Sequence, residues 1–203
     1  MAELLAPYAE LEQKLLDNIL IYINILLRWN ARINLTAIRD PRQIVQRHFG
    51  ESFFAARVLL RPKDVCKIVD LGSGAGFPGL PFAMYAPQSE ITLIESQKKK
   101  AAFLNEAVRV LGLKNVNVFS DRAESYAGTA ELVVMRAVEK FETVLPLASR
   151  LVQPGGRLAL MIGAARVQTA TGLLPQFAWQ DPINVPDGHS RVLLVGTNPV
   201  KVG

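Results

Sequence analysis

The sequence predicts an α/β fold: a Rossmann-like, mostly parallel sheet with an antiparallel hairpin at one edge, preceded by a helical extension. Three observations carry this reading. From Lys67 onward, short and nearly continuous apolar strands alternate with helical stretches, the pattern of a parallel sheet covered on both faces. The first of those strands runs directly into a glycine-rich turn. The residues before it repeat their apolar groups at helical rather than strand spacing.

Taken in order, Leu11, Leu15, Ile19, Tyr22, Ile23, Leu26 and Leu27 line one face of a helix over 8–29. The stretch Asn30 to Thr36 breaks that pattern. Asp40 followed by Pro41 is an N-cap with proline at the first helical position, and it opens a helix to about Leu60. Strands are expected at 67–71, 91–95, 116–119, 132–136 and 157–162, with helices near 80–85, 98–111 and 143–151. Gly112 stops the second of those helices, and Pro154-Gly155-Gly156 is a turn feeding the fifth strand. A last strand at 192–195 and a partner near 177–185 close the sheet edge as an antiparallel pair. This divides the chain into a helical extension over 1–64 and a sheet domain over 65–203.

Half of the 203 residues are apolar and 20% are charged, which excludes wholesale disorder. Cys66 stands alone, so there is no internal disulfide, and no Cys/His cluster is spaced to hold zinc. Acidic residues precede any apolar run at the N-terminus, unlike a secretory leader. The stretch Ile19 to Leu27 is broken by Tyr22 and Asn24 and is too short to span a bilayer. The expectation is a cytoplasmic, soluble monomer in a reducing compartment, without metal or membrane partners.

The net charge of +5 is unevenly placed. Met1 to Leu20 is acidic, whereas Arg28 to Lys63 carries eight bases, seven of them arginine, against Asp40 and Glu51. The planar fork of arginine suits phosphate, so this segment is read as a polyanion footprint, with Arg28, Arg32, Arg39 and Arg47 as the phosphate contacts. Lys98-Lys99-Lys100 is read instead as a solvated face. Trp29 is a candidate stacking partner, with helix-end packing the favoured reading. His48 is read as a satisfied helix residue and His189 as an exposed turn residue.

The chemistry sits at the first strand and the loop after it. Ile68-Val69-Asp70-Leu71 leads into Gly72-Ser73-Gly74-Ala75-Gly76-Phe77-Pro78-Gly79. Glycines there let the backbone take positive φ and approach a ligand closely, and open parallel sheets bind ligands at the carboxyl ends of their strands. The second strand ends in Glu95, 19 residues beyond Gly76, where an acid can accept from ribose hydroxyls. Gly74 to Gly79 also fits the dinucleotide pattern G-x-G-x-x-G. Asp70 decides between the cofactors: a carboxylate there opposes a pyrophosphate but suits S-adenosyl-L-methionine, whose amino and sulfonium groups are cationic. A helix-capping role is the second reading of Asp70.

Asn34-Leu35-Thr36, Arg39-Asp40-Pro41, Arg47-His48 and Val69 to Pro81, followed by Ser120-Asp121-Arg122-Ala123-Glu124 and Arg136-Ala137, resemble the GidB/RsmG family of small-subunit (16S) ribosomal RNA guanine-N7 methyltransferases. The resemblance runs in order along nearly the whole chain. It implies a class I methyltransferase sheet, S-adenosyl-L-methionine as methyl donor, and 16S ribosomal RNA or the small ribosomal subunit as partner. It implies that Gly72, Phe77, Ala123, Glu124 and Arg136 bind the donor, with Glu95 at the ribose; Asp70, Gly74 and Gly76 belong to the same loop. The chain departs from the family at Glu51, where Asp is common, at Ile162-Gly163, where Lys-Gly is common, and at Ser190-Arg191, where Arg-His is common. Those departures concern substrate-side contacts.

The missing groups agree with that chemistry. Cys66 lies at the amino end of the first strand, the wrong end for a pyrimidine-C5 nucleophile. Arg136-Ala137-Val138-Glu139 is not the Asn/Asp-Pro-Pro-aromatic tetrad of adenine-N6 enzymes. Guanine N7 already holds an in-plane lone pair, so no catalytic base is required and positioning alone can serve. The competing readings are a NAD-type oxidoreductase on the same sheet and a non-catalytic RNA-binding ribosome assembly factor.

Overall fold

A computed structural model describes residues 1–138, 140–188 and 190–200. Glu139 and His189, both singled out in the sequence, lie outside the described residues. The chain runs α1 (Ala2–Leu5), α2 (Gln13–Ile33), α3 (Pro41–Gln43), a π-helical segment (Ile44–Gly50) and α4 (Glu51–Leu59). Then follow β1 (Lys67–Leu71), α5 (Gly79–Tyr85), β2 (Glu90–Ile94), α6 (Lys98–Val110), β3 (Val116–Phe119), β4 (Ala130–Arg136), α7 (Phe141–Leu151) and β5 (Val152–Gly163). The described chain ends with α8 (Val167–Leu173), β6 (Ala178–Trp179), β7 (Ile183–Asn184) and β8 (Arg191–Thr197).

The sheet order is β3-β2-β1-β4-β5-β8-β6, with β7 also pairing β8. β1 to β5 are parallel and β8 is antiparallel to β5, so the mixed sheet and its antiparallel edge are as expected. Alternate residues of each central strand enter two separate cores. Ile68, Leu132, Val134 and Ala159 pack with α2, α4, α5 and α6 on one face. Val69, Leu71, Val133 and Leu158 pack with α7 and α8 on the other. The helices before β1 and the sheet thus share one continuous buried cluster. Strand order reverses between β1 and β4, which puts a crevice beside Leu71 and Met135, opposite each other in register.

Several elements differ from the sequence reading. α2 starts at Gln13 and continues to Ile33, where Asn34 ends it in a left-handed conformation (φ 45°). Asparagine tolerates that turn because its short polar side chain suits the region. Asp40 caps as expected, its Oδ1 accepting from Gln43 N at 2.8 Å, but the helix then widens into the π-helical segment rather than running evenly to Leu60. The Pro154 turn lies inside β5 as a bulge: Ala130 pairs Val152, then Leu132 pairs Arg157. α8 has no counterpart among the expected helices, because Val167-Gln-Thr-Ala-Thr-Gly-Leu173 is poor in helix formers and buries only Ala170.

Candidate functional site

The glycine loop is closed by its own backbone and by two carboxylates. Gly72, Gly74 and Gly76 have φ of 74°, 54° and 81°, values open to glycine and costly for other residues. The amides of Gly72 and Ser73 donate to Ile94 O at 3.0 and 3.1 Å, and Gly76 N donates to Ser73 O at 2.6 Å. Gly74 N donates to Glu95 Oε2 at 2.9 Å, and the other oxygen of Glu95 accepts from Gln97 N at 2.8 Å. Each carboxylate oxygen retains a second lone pair for a ligand hydroxyl.

Asp70 is fully buried beneath this loop. Its Oδ2 accepts from Gly79 N, the first residue of α5, at 3.0 Å, while Oδ1 has no hydrogen-bond partner among the described residues. Burial above all pushes its carboxyl up to about 7, opposed by the Gly79 amide and reinforced by Glu95. Asp70 therefore caps a helix, the second of the two roles its position suggested, and carries only part of a negative charge at neutral pH. The discrimination between cofactors moves to Glu95. In a dinucleotide site, free loop amides and a helix N-terminus receive pyrophosphate. Here Gly74 N is held by Glu95 and Gly79 N by Asp70, so neither amide is free for a phosphate. The donor set suits a ligand with hydroxyls and positive charge.

The N-terminal helices reach the same loop. Tyr22 of α2 is fully buried, and its hydroxyl donates to Ala75 O. Its ring stacks on Phe77 at 5.3 Å with 9° between planes, and His48 stacks on Phe77 at 4.8 Å and 24°. Phe49 meets Phe77 edge-on at 5.0 Å. His48 and Phe49 are consecutive residues of the π-helical segment, which turns both inward; such segments cluster at functional sites. Phe77 is thus walled in by aromatic side chains, so any contact it makes with a methyl donor comes through its backbone or an edge.

Arg136 is the last residue of β4, one beyond the Leu71–Met135 pair. Its Nη1 donates to His48 Nδ1 at 3.1 Å, and its Nη2 to Arg47 O at 2.6 Å and Glu51 Oε2 at 3.1 Å. Burial lowers the guanidinium from its usual range, and Glu51 opposes that shift. Glu51, itself buried, also meets Arg191 at 2.6 Å. Arg136 is therefore half of an ion pair, and that pair is buried rather than on the surface. A cleft of about 280 Å³ opens here, lined by Arg47, Glu51, Arg136, Ile162, Arg166 and Arg191 among others. All three departures from the family pattern meet at this cleft: Glu51 and Arg191 form the ion pair, and Ile162 lies beside them.

The remaining expected residues are more dispersed. Ala123 and Glu124 sit in a 3-10 turn after β3, with Glu124 exposed. Arg32, Arg39 and Arg47 are exposed, whereas the charge of Arg28 is matched by Glu106 of α6. Trp29 packs against Phe103 and donates to Glu106 Oε2 at 2.9 Å, which is helix-end packing rather than a stacking platform. His48 is satisfied as expected, yet it also supports Arg136. Lys98 is less free than its neighbours, since its Nζ donates to Ser120 O at 2.6 Å. The arginine-rich segment does not form one patch. α4 carries it away from the site, because Leu59 O accepts at 2.9 Å from Arg157, which pairs Leu132 toward the amino end of the parallel strands. Tyr22 joins the site without a sequence signal, since nothing local in the chain marks a contact across the fold; Thr36 is legible only as part of the Asn34-Leu35-Thr36 motif, and Glu51 and Arg191 only as departures from the family pattern.

The chain matches the family model described as rRNA small subunit methyltransferase G over residues 15–174. It is 39% identical over 181 residues to "Ribosomal RNA small subunit methyltransferase G" of Xylella fastidiosa (strain 9a5c), covering 87% of this chain and 84% of that one. Its counterpart in Stenotrophomonas maltophilia (strain K279a) is 37% identical over 196 residues, covering 93% and 90%. Among solved structures, a SAM dependent methyltransferase from Aquifex aeolicus superposes with a TM-score of 0.63 at 18% identity, covering 78% of this chain and 94% of that one. A ribosomal protein L11 methylase from Lactobacillus delbrueckii subsp. bulgaricus gives 0.64 at 9%, covering 76% and 79%. Those two show the shared sheet; the sequence relatives and the family model show that this chain belongs to the GidB family.

Proposed function

We propose that the protein transfers the methyl group of S-adenosyl-L-methionine to N7 of a guanine in small-subunit (16S) ribosomal RNA. One observation carries the reading: the glycine loop at the end of β1, its Gly74 amide held by Glu95, lies next to an arginine-lined cleft at the carboxyl ends of β4 and β5, whose Val138 stands against Gly72. S-adenosyl-L-methionine, when bound, supplies an electrophilic methyl on a sulfonium. The buried Oδ1 of Asp70, without a partner among the described residues, and the spare lone pairs of Glu95 fit a ligand that is cationic and bears hydroxyls.

The chain's own part is positional. Glu95 accepts from ribose hydroxyls, and Gly72 and Gly74 keep side chains out of the ligand's path. Arg136, its guanidinium oriented by His48, Glu51 and the Arg47 carbonyl, presents its remaining N–H groups to the acceptor edge of the base. No side chain has to take a proton, because N7 attacks with a lone pair already in the ring plane. Alignment of nitrogen, carbon and sulfur is worth up to roughly 7–11 kcal/mol in favourable intramolecular models. N7 faces the narrow major groove of A-form RNA, so the target guanine must be unpaired or flipped out.

The test is tritium transfer from labelled donor to deproteinised and to assembled small subunits, with the product nucleoside identified. Label recovered as 7-methylguanosine is the expected result. Donor binding without any transfer to either substrate would leave the assembly-factor role instead.

A further inference from the structure

We propose that Tyr22 is a positioning residue for the methyl donor, its hydroxyl fixing the Ala75–Gly76 peptide of the glycine loop from the N-terminal helix; the inference rests on the functional reading above. Tyr22 is 53 residues from Ala75 in the chain, and its hydroxyl donates to the Ala75 carbonyl. The N–H of the same peptide unit, that of Gly76, donates to Ser73 O at 2.6 Å. The peptide plane is therefore held at both ends, by partners on two different segments.

That double hold matters because of where the peptide lies. Gly76 has φ of 81° and no Cβ, so steric repulsion alone does little to stop the unit rotating. A rotated unit would lose the Ser73 bond and redirect the backbone between Gly74 and Phe77, the stretch a donor has to lie against. Tyr22 and Ala75 are both buried, so water does not substitute readily for the phenol. The ring itself is fixed, stacked on Phe77 and meeting Phe49 edge-on at 5.2 Å. Burial, with Asp70 adding to it, holds the phenol well above its usual range, so the group remains a donor at working pH. A Cβ at Gly76 would collide with this hydroxyl and with Leu80, so the latch occupies the space that a side chain would need. Tyr22 lines neither the arginine cleft nor the exposed RNA-facing arginines, so its influence on the reaction runs through the loop.

Tyr22→Phe keeps the ring and removes only the hydroxyl. Loss of one buried neutral hydrogen bond predicts S-adenosylhomocysteine binding about threefold to about tenfold weaker by calorimetry. RNA affinity in filter binding should stay at the wild-type value. In tritium transfer, KM for the donor should rise while kcat changes by less than about twofold, and the Gly76 amide of the unliganded protein should exchange faster with solvent. Wild-type affinity for S-adenosylhomocysteine in the variant, or an unchanged Gly76 exchange rate, overturns the proposal. So does a parallel loss of donor binding, RNA binding and kcat, which would mark a merely structural tyrosine. A wild-type protein that fails to bind S-adenosylhomocysteine would instead sink the cofactor reading itself.

Discussion

Arg136 donates through Nη1 to Nδ1 of His48 at 3.1 Å, and this contact settles which form of the imidazole the protein keeps. A guanidinium has no acceptor, so Nδ1 must carry the lone pair and Nε2 the proton. The Nε2–H is then donated to Thr36 Oγ1 at 2.8 Å. Thr36 is held in turn by Asn30, which accepts from its N–H and donates to its C=O, each at 2.9 Å. Charging the ring would replace an accepting nitrogen with a cation facing Arg136. Burial first, then Arg136 and Arg47, lower His48 to about 3.

His48 and Asp70 should therefore tilt stability against pH in opposite directions. His48 is near 3 folded and about 6.5 unfolded, so in that window the unfolded chain binds more protons and stability rises with pH. Asp70 is near 7 folded and about 3.9 unfolded, so there the folded chain binds more protons and stability falls as pH rises. Between about pH 4.5 and 6 the two offset, each with a limiting slope of about 1.4 kcal/mol per unit. Relative to wild type, urea unfolding of Asp70→Asn should become more stable with rising pH, and that of His48→Gln less stable. Parallel curves for all three proteins would refute the assignment.

Removing Glu51 should destabilise strongly. Its carboxylate stands between Arg136 and Arg191, at 3.1 and 2.6 Å, and it is buried. Breaking a buried ion pair from one side typically costs about 3–5 kcal/mol. Glu51→Ala should lower the urea midpoint accordingly. A double-mutant cycle with Arg191→Met should return a coupling of about 1 kcal/mol or more; additive effects would show that the pair contributes little.

Gly79→Ala should destabilise by about 1–3 kcal/mol through overpacking. An added Cβ there would stand 2.7 Å from Asp70 Oδ2 and 2.9 Å from Asp70 Cβ, with Leu93 also in the way. Gly163→Ala is the control, since none of the described residues comes within 4 Å of its added carbon. Thermal unfolding separates the two, and equal melting temperatures would contradict the packing.

RNA binding should depend on Arg39 and Arg47 but not on Arg57. The first two are exposed on the segment that enters the site, whereas α4 carries Arg57 toward the opposite end of the sheet. Removing one arginine–phosphate interaction should reduce the slope of log affinity against log salt by about 0.7 to 0.9. Filter binding over a salt series tests it. An Arg57→Ala slope as low as that of Arg47→Ala would restore a single continuous footprint.

What is legible in the sequence is local. The central strands can be placed to within a few residues because a parallel sheet buried on both faces leaves unbroken apolar runs such as Leu132 to Met135. The glycine loop is legible because positive φ at Gly72, Gly74 and Gly76 demands glycine. The pattern misleads where packing overrides it: the π-helical segment, the β5 bulge and α8.

By itself, then, the sequence determined the sheet, the loop at the end of β1 and the acid at the end of β2, because each follows from short-range periodicity or backbone geometry. Only the tertiary structure decided that Asp70 caps a helix, that Glu95 holds the loop, and that Tyr22, His48, Glu51, Arg136 and Arg191 meet around it. Those contacts join residues up to 140 positions apart, and their strength comes from burial, which no single stretch of chain can create alone.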